Sequence, residues 1–222
     1  MKNTLWIVAA GLALGACLTF PAAASAQATL EAPNGGSQSV KLDPFHFGLG
    51  ALATWARDAG EPSSHGSGGD PEQFGLLLQK LTATANFAAS GAELFDGHLS
   101  AEHLDRLAFD ISGFRGMAFG TANGYCGAGA PRFNVGSSAA ATCFLGCAHG
   151  QKTQDPQSGW WTISFRPPYT QYPGCEGGVT GTVDSIEIVF DEGTDVGPGS
   201  VVIDDVRVNN RVIGKPLGND HH

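Results

Sequence analysis

The sequence predicts an all-β protein, a single antiparallel β-sandwich with long loops and one short helical turn. Several short segments alternate apolar and polar residues, and turn-forming residues separate them. The 222 residues include 32 glycines and only 15% charged residues, a composition typical of strands joined by turns. No long segment of the sequence repeats apolar residues at the helical spacing i, i+3, i+4, i+7. Together these features favour a sandwich over a helical or mixed fold.

The N-terminal segment has the pattern of a secretory signal peptide. Lys2 precedes an uncharged apolar run over residues 5–14, and Ala24–Ala26 has the small-x-small pattern of a signal-peptidase site. We therefore expect residues 1–26 to be removed and the protein to be secreted. Alternatively, Leu14–Cys17 is a lipobox and Cys17 carries a lipid anchor. The run is shorter than the roughly 20 residues of a transmembrane helix, and no later segment is long and apolar enough to predict one.

The net charge of the chain restricts the kinds of ligand that it is expected to bind. The chain has 21 acidic and 12 basic residues and a net charge of −9, whereas nucleic-acid binding requires clustered Lys and Arg. The composition therefore argues against a nucleic-acid partner and suits cations or neutral ligands.

The N-terminal half of the sandwich contains three predicted strands. Residues 27–39 are expected to form a flexible lead-in, and the sandwich domain is expected over residues 40–213, followed by a tail, 214–222. The segment 40–47 carries regularly placed apolar residues, 76–87 ends in strict alternation of Thr and Asn with Ala and Phe, and 107–111 alternates again. A Gly- and Pro-rich loop covers 58–73, and residues 100–106 begin like a capped helical turn.

Five further strands are predicted in the C-terminal half, at 132–135, 142–145, 160–165, 182–190 and 200–208. The last two are expected to form a hairpin, and in each of them apolar residues recur on one face. Ile186, Ile188 and Phe190 share one face of the first strand, and Asp204 shares a face with valines in the second. A buried carboxylate is costly unless it is paired, hydrogen-bonded or metal-bound, so Asp204 requires a partner.

Four cysteines lie beyond the signal peptide: Cys126, Cys143, Cys147 and Cys175. An even number in an oxidising compartment predicts two disulfides, and three connectivities are possible. A zinc site that also uses His149 is the alternative, although its spacing is loose.

The segment Val201–Val208, with Asp204 and Asp205 at its centre, resembles the last strand of galactose-binding-like jelly rolls. Many carbohydrate-binding modules have this fold. The resemblance implies a jelly-roll sandwich that binds a glycan, and it implies a structural calcium at the aspartate. Asp191, Asp195, Asp204 and Asp205 would supply the oxygen ligands that calcium prefers. Alternatively, Asp204 is hydrogen-bonded to the backbone.

Aromatic side chains are the candidate glycan-binding residues, because sugar rings stack their C–H faces on aromatic rings. The candidates are Tyr125, Trp160, Trp161, Tyr169 and Tyr172. The sequence contains neither G-x-S-x-G nor H-E-x-x-H, so these catalytic motifs are excluded. We therefore expect a secreted, non-catalytic glycan-binding module. The alternative is a secreted β-sandwich hydrolase or lyase acting on polysaccharide, with Glu187 and a second acid as the catalytic pair.

Overall fold

The structure is a computed structural model that describes residues 26–31, 37–62, 73–82, 88–113, 119–120, 125–127, 129–191 and 198–213. Side chains are described from residue 42 onward, except at 95–98. In this part of the chain, no helix is long and apolar enough to cross a membrane.

The described residues form strands in the following chain order: β1 (Ala26–Glu31), β2 (Ser37–Phe47), β3 (Ala51–Ala56), β4 (Gly75–Lys80), β5 (Ala89–Ser100), β6 (Leu107–Gly113), β7 (Arg132–Ser137), β8 (Ala140–Gly146), β9 (Gln151–Gln154), β10 (Trp161–Phe165), β11 (Thr182–Phe190), β12 (Gly199–Val208) and β13 (Arg211–Ile213). Short 3-10 helices span Ala101–His103, Cys147–His149 and Tyr169–Gln171.

The strands form two sheets. The six-stranded sheet has the order β1-β2-β5-β11-β7-β8. The seven-stranded sheet has the order β3-β4-β12-β6-β10-β9, with β13 paired to β12. All pairings between these strands are antiparallel. This confirms the all-β, antiparallel jelly-roll sandwich that the sequence predicts.

The core lies between the two sheets. Phe133 of β7 packs against Phe109 of β6, with 5.4 Å between ring centroids, and against Phe165 of β10 at 6.0 Å. All three rings are fully buried. Ile186, Ile188 and Phe190 of β11 point into the same core. Truncating one of these phenylalanines to Ala would cost about 3–5 kcal/mol, because the transfer energy is lost and a cavity remains.

Strand positions agree with the sequence only in part. The segment predicted at 182–190 coincides with β11, and the helical turn forms as Ala101–His103. The predicted hairpin between 182–190 and 200–208 is wrong, because β11 and β12 lie in different sheets and pair with other strands. The segment 27–39, expected to be a flexible lead-in, instead contributes β1 and the start of β2. β3 and β5 were not predicted. β5 contains two glycines and mixed polar residues, yet it pairs with β2 and β11 on both of its edges. Residues 83–87 of the predicted strand 76–87 lie outside the described residues.

The four cysteines form the disulfides Cys126–Cys147 and Cys143–Cys175. The prediction of two disulfides is confirmed, and one of the three possible connectivities is realised. Because all four sulfur atoms are bonded in pairs, the alternative zinc site is wrong.

Candidate binding groove

The outer face of the six-stranded sheet carries a row of polar side chains that crosses four strands and ends at an aromatic residue on a fifth. In the pairing register, Asp43 lies opposite Glu93, Glu93 opposite Glu187, and Glu187 opposite Asn134. Asn134 in turn lies opposite Phe144 of β8. Side chains alternate between the faces of a strand, and the neighbours of Glu187, Ile186 and Ile188, point into the core. The row therefore faces outward.

The adjacent row contains a glycine, Gly91, beside the aromatic ring of Phe45. Phe45 lies opposite Gly91, which lies opposite Val189, and Val189 lies opposite Arg132. A Cβ atom on Gly91 would meet the backbone oxygen of Ile188 and come within 2.7 Å of Cζ of Phe45. Glycine therefore lets the Phe45 ring lie close to the sheet and keeps the space beside it open.

These two rows and the chain around them form a groove of about 610 Å³. Two phenylalanines of β2, Phe45 and Phe47, line one side, with a ring-centroid distance of 6.4 Å and an interplanar angle of 9°. Phe47 is 54% exposed. An exposed, ordered ring beside a groove offers a flat apolar surface to a ligand.

Arg132 and Asp191 form an ion pair on the opposite side of the groove. Nη1 and Nη2 of Arg132 donate to the two carboxylate oxygens of Asp191 at 2.6 and 2.8 Å, and Nε donates to Oδ1 of Asn134 at 3.0 Å. The guanidinium also lies 5.5 Å from the centroid of the Phe144 ring. This bidentate geometry orients both side chains and uses the carboxylate of Asp191 fully.

Two charged side chains of the groove retain hydrogen-bonding capacity. Lys80 is only 2% exposed, and its ammonium donates to the backbone oxygen of Asp191 at 3.2 Å. An ammonium has three N–H donors, and its other two have no acceptor among the described residues. The Glu187 carboxylate also lines the groove, and it has no partner in the described part of the chain. The groove thus offers spare donors and a spare acceptor beside an aromatic wall.

The aromatic residues singled out in the sequence lie away from this groove. Tyr125, Trp160, Tyr169 and Tyr172 are all buried, with exposures of 5–8%. Trp161 is half-buried and stacks on Phe119 at a centroid distance of 4.4 Å. The four buried rings present no free face to a sugar, and Phe119 covers one face of Trp161. A ligand-binding role for Trp161 stays a prediction.

Each of the buried polar aromatics has a structural role instead. Tyr169 donates its hydroxyl proton to the backbone oxygen of Leu104 at 3.1 Å, and burial raises its pKa. The hydroxyl of Tyr172 accepts a hydrogen bond from the backbone N–H of Arg166. Trp160 packs on Leu77 and Val202 on the outer face of the other sheet.

Asp204 of β12 is 8% exposed and is hydrogen-bonded to the backbone. Its Oδ2 accepts from the N–H of Glu61 at 2.8 Å, and its Oδ1 accepts from the N–H of Asp205 at 2.7 Å. Burial raises the pKa of Asp204 to about 8, against the lowering effect of those two hydrogen bonds. Like charges on Asp205 and Asp110 raise it further.

The four aspartates named as calcium ligands do not come together in the described structure. Asp205 pairs with Arg207 at 3.0 Å, Asp191 lies in the groove, and Asp195 lies outside the described residues. Within the described residues, no group of three or more His, Cys, Asp or Glu side chains could hold a metal ion. Calcium binding stays a prediction.

Comparison with known proteins finds similar folds at low similarity. No protein-family model matches the chain, and no curated protein matches it. A family 11 carbohydrate-binding module from Clostridium thermocellum, solved with a β-1,3-1,4-mixed-linked tetrasaccharide, is 16% identical, with a TM-score of 0.41 over 89% of this chain and 100% of that chain. The family 11 module of a cellulosomal cellulase of the same organism is 17% identical, with a TM-score of 0.38 over 88% and 98%. Values this low identify no ligand for this chain.

The groove residues that the sequence analysis missed carry a weak signal. Asp43, Phe45 and Phe47 occupy alternate positions of β2, so alternation places them on one face. It does not say whether that face is the core or the outside. Glu187 was named as a possible partner of a second acid, and the register supplies Glu93 opposite it.

Proposed function

We propose that the protein is a non-catalytic glycan-binding module and that the groove on the six-stranded sheet is its binding site. The observation that carries this proposal is the exposed Phe47 ring beside groove residues with unused hydrogen-bonding groups. A sugar presents an apolar C–H face and a rim of hydroxyl groups, each of which both donates and accepts. Phe47 suits the face, the Glu187 carboxylate accepts from hydroxyls, and the Lys80 ammonium donates to them.

Phe47→Ala tests the aromatic part of the site. Affinity electrophoresis against a panel of soluble neutral and acidic polysaccharides should show retardation of the wild type by at least one of them. Phe47→Ala should weaken that binding by about tenfold or more, since aromatic contacts of this kind contribute on the order of 1.4 kcal/mol. Phe47 is largely exposed, so its removal leaves the core intact.

Val212→Ala is the matched control. Val212 is 39% exposed and lies on β13 of the other sheet, and its truncation should leave the affinity unchanged. Equal loss in both variants, or no retardation of the wild type by any polysaccharide, contradicts the proposal. Glu187→Gln should weaken binding as well, because the charged acceptor becomes a neutral amide.

We propose further that the protein is secreted after cleavage before Gln27. Two disulfides are typical of oxidising compartments, and they support an extracytoplasmic location. The intact mass of the native protein distinguishes the two forms: a chain that begins at Gln27 supports cleavage, and a lipid on Cys17 supports the alternative anchor.

One observation favours hydrolysis as a second candidate function. Glu93 and Glu187 lie directly opposite each other on β5 and β11. Cβ atoms of such pairs are about 5 Å apart, and glycoside hydrolysis uses two carboxylates roughly 5–10 Å apart. Release of new reducing ends from a bound polysaccharide, lost in Glu187→Gln and in Glu93→Gln, would establish this activity. A wild type that binds without releasing reducing ends is a binding module only.

A further inference from the structure

Three arginines gather on the outer face of the seven-stranded sheet, the face opposite the groove. Leu107 pairs with Phe165 at the end of the ladder between β6 and β10, so Arg106 and Arg166 are the next cross-strand neighbours. Arg207 of β12 lies opposite Ala108 of β6. Because Leu107 and Phe165 point into the core, Arg106 and Arg166 point to the outside.

Larger side chains cover the outer face around Ala108, whose cross-strand neighbours are Arg207 of β12 and Ser164 of β10. Ala108 shares the outer face with Arg106 and Asp110, since residues two apart on a strand point the same way. Yet Ala108 is fully buried. Its short side chain is therefore covered from outside.

The positive charge of this arginine cluster (Arg106, Arg166 and Arg207) is only partly compensated. Nη2 of Arg207 contacts Asp110 at 2.7 Å and Asp205 at 3.0 Å. The guanidinium groups of Arg106 and Arg166 have no carboxylate or hydrogen-bond partner among the described residues. Like charges placed opposite each other on neighbouring strands are destabilising, and here they occur in a chain of net charge −9.

Two buried guanidinium nitrogens in the arginine cluster lack acceptors. Nε of Arg106 and Nη1 of Arg207 are buried and have no hydrogen-bond partner in the described structure. Burial lowers the pKa of Arg106, the positive charges of Arg207 and Arg166 lower it further, and the Asp110 carboxylate opposes them. Buried donors without acceptors are costly, and a bound group with negative charge and oxygen acceptors would reduce the repulsion among the guanidinium groups.

We propose that the arginine cluster is an anion-binding site that takes an oxyanion group, such as a sulfate, a phosphate or a carboxylate. Guanidinium groups bind such oxygens through two parallel N–H donors and keep their charge at all accessible pH values. The oxyanion would lie between Arg106 and Arg166, within reach of Nη1 of Arg207. The site lies on the opposite sheet from the groove and does not depend on the proposed glycan binding.

Calorimetric titration and thermal melting of the full mature chain test the site. The probes are sodium sulfate, sodium phosphate and sodium acetate at low ionic strength, each compared with sodium chloride at matched ionic strength. At least one oxyanion should bind and raise the melting temperature beyond the effect of chloride. Tighter binding of sulfate or phosphate indicates a tetrahedral ester as the natural group, and tighter binding of acetate indicates a carboxylate.

Arg166→Gln is the decisive variant, because Arg166 is exposed and its removal leaves the core intact. It should weaken oxyanion binding by about tenfold, the value of one charge-assisted contact. Without an oxyanion, it should be at least as stable as the wild type at low ionic strength, since one of two repelling charges is gone. Arg106→Gln should weaken binding similarly.

Arg57→Gln is the control, because it removes the same charge from an exposed position next to β3, at the other edge of the sheet. It should retain full oxyanion binding. The proposal is overturned if chloride acts as strongly as the oxyanions or if Arg57→Gln weakens binding as much as Arg166→Gln. It is also overturned if Arg166→Gln is less stable than the wild type at low salt, which would reveal a carboxylate partner within the chain.

Discussion

Protonation of Asp204 should make the fold more stable in mild acid than at neutral pH. Burial raises the pKa of this carboxyl to about 8, from a usual value of 3.8. Between pH 4 and 7 the unfolded chain therefore loses the Asp204 proton while the folded chain keeps it. The unfolded state gains stability over this range, so the contribution of Asp204 to folding falls as pH rises. Each pH unit in this range lowers the unfolding free energy by roughly 1.4 kcal/mol, so the rise from pH 4 to pH 7 lowers it by about 4 kcal/mol.

Asp204→Asn isolates this effect because the amide carries no charge at any pH. At pH 4 the variant should be less stable than the wild type by about 1–3 kcal/mol, since its amide nitrogen replaces an oxygen that accepts from a backbone N–H. Between pH 4 and pH 7, the unfolding free energy of the variant should rise relative to that of the wild type by about 4 kcal/mol. The assay is urea unfolding at several pH values between 4 and 7.5, with a chelator present so that no bound cation contributes.

A difference in unfolding free energy that stays constant from pH 4 to 7 would refute the reasoning, because Asp204 would then titrate alike in the folded and unfolded chains. Asp58→Asn, the same change at an exposed position, reports what the loss of one surface carboxyl does over the same pH series.

Three further predictions concern packing, redox state and metal. Gly91→Ala should lower the unfolding free energy by about 1–3 kcal/mol and weaken glycan binding, because its Cβ would meet the backbone oxygen of Ile188 as well as the Phe45 ring; unchanged stability and affinity would contradict the packing described around Gly91. Replacing Cys143 and Cys175 by Ala should cost about 2–4 kcal/mol in chemical denaturation, and the unfolded, non-reduced wild type should contain no free thiol. If calcium binds at Asp204, a chelator should lower the melting temperature of the wild type and not of Asp204→Ala; an identical wild-type curve with and without chelator contradicts it.

A regular alternation of apolar and polar residues along the chain was enough to predict a strand such as β11. In β11, apolar and polar residues alternate clearly, and the predicted bounds match the observed strand. β5 was missed because its glycines and mixed polar residues show no such pattern, and its place depends on hydrogen bonds to β2 and β11. β1 was assigned to a flexible lead-in because turn-forming residues follow it at 33–37, although β1 itself alternates; its pairing with β2 depends on tertiary contacts.

The candidate aromatic residues show most clearly what the sequence could not predict about the binding site. The sequence around a tyrosine or tryptophan does not show whether its side chain is buried or exposed. In the structure, Tyr169 and Tyr172 are buried, whereas Phe47 is exposed. Alternation shows which residues share a face, but it does not identify the face that meets the second sheet.

The sequence by itself determined the fold class and the number of disulfides, because each depends on composition or on neighbours along one strand. It also indicated that Asp204 needs a partner, but an irregularity at Asp205 separates the face of Asp204 and Val202 from that of Val206 and Val208. Only the tertiary structure showed which residues come together in the two candidate sites. The groove joins residues as distant in sequence as Phe45, Arg132 and Glu187, and the arginine cluster joins β6, β10 and β12. Both depend on the order and register of the strands, which arise from packing one sheet against the other rather than from any local pattern.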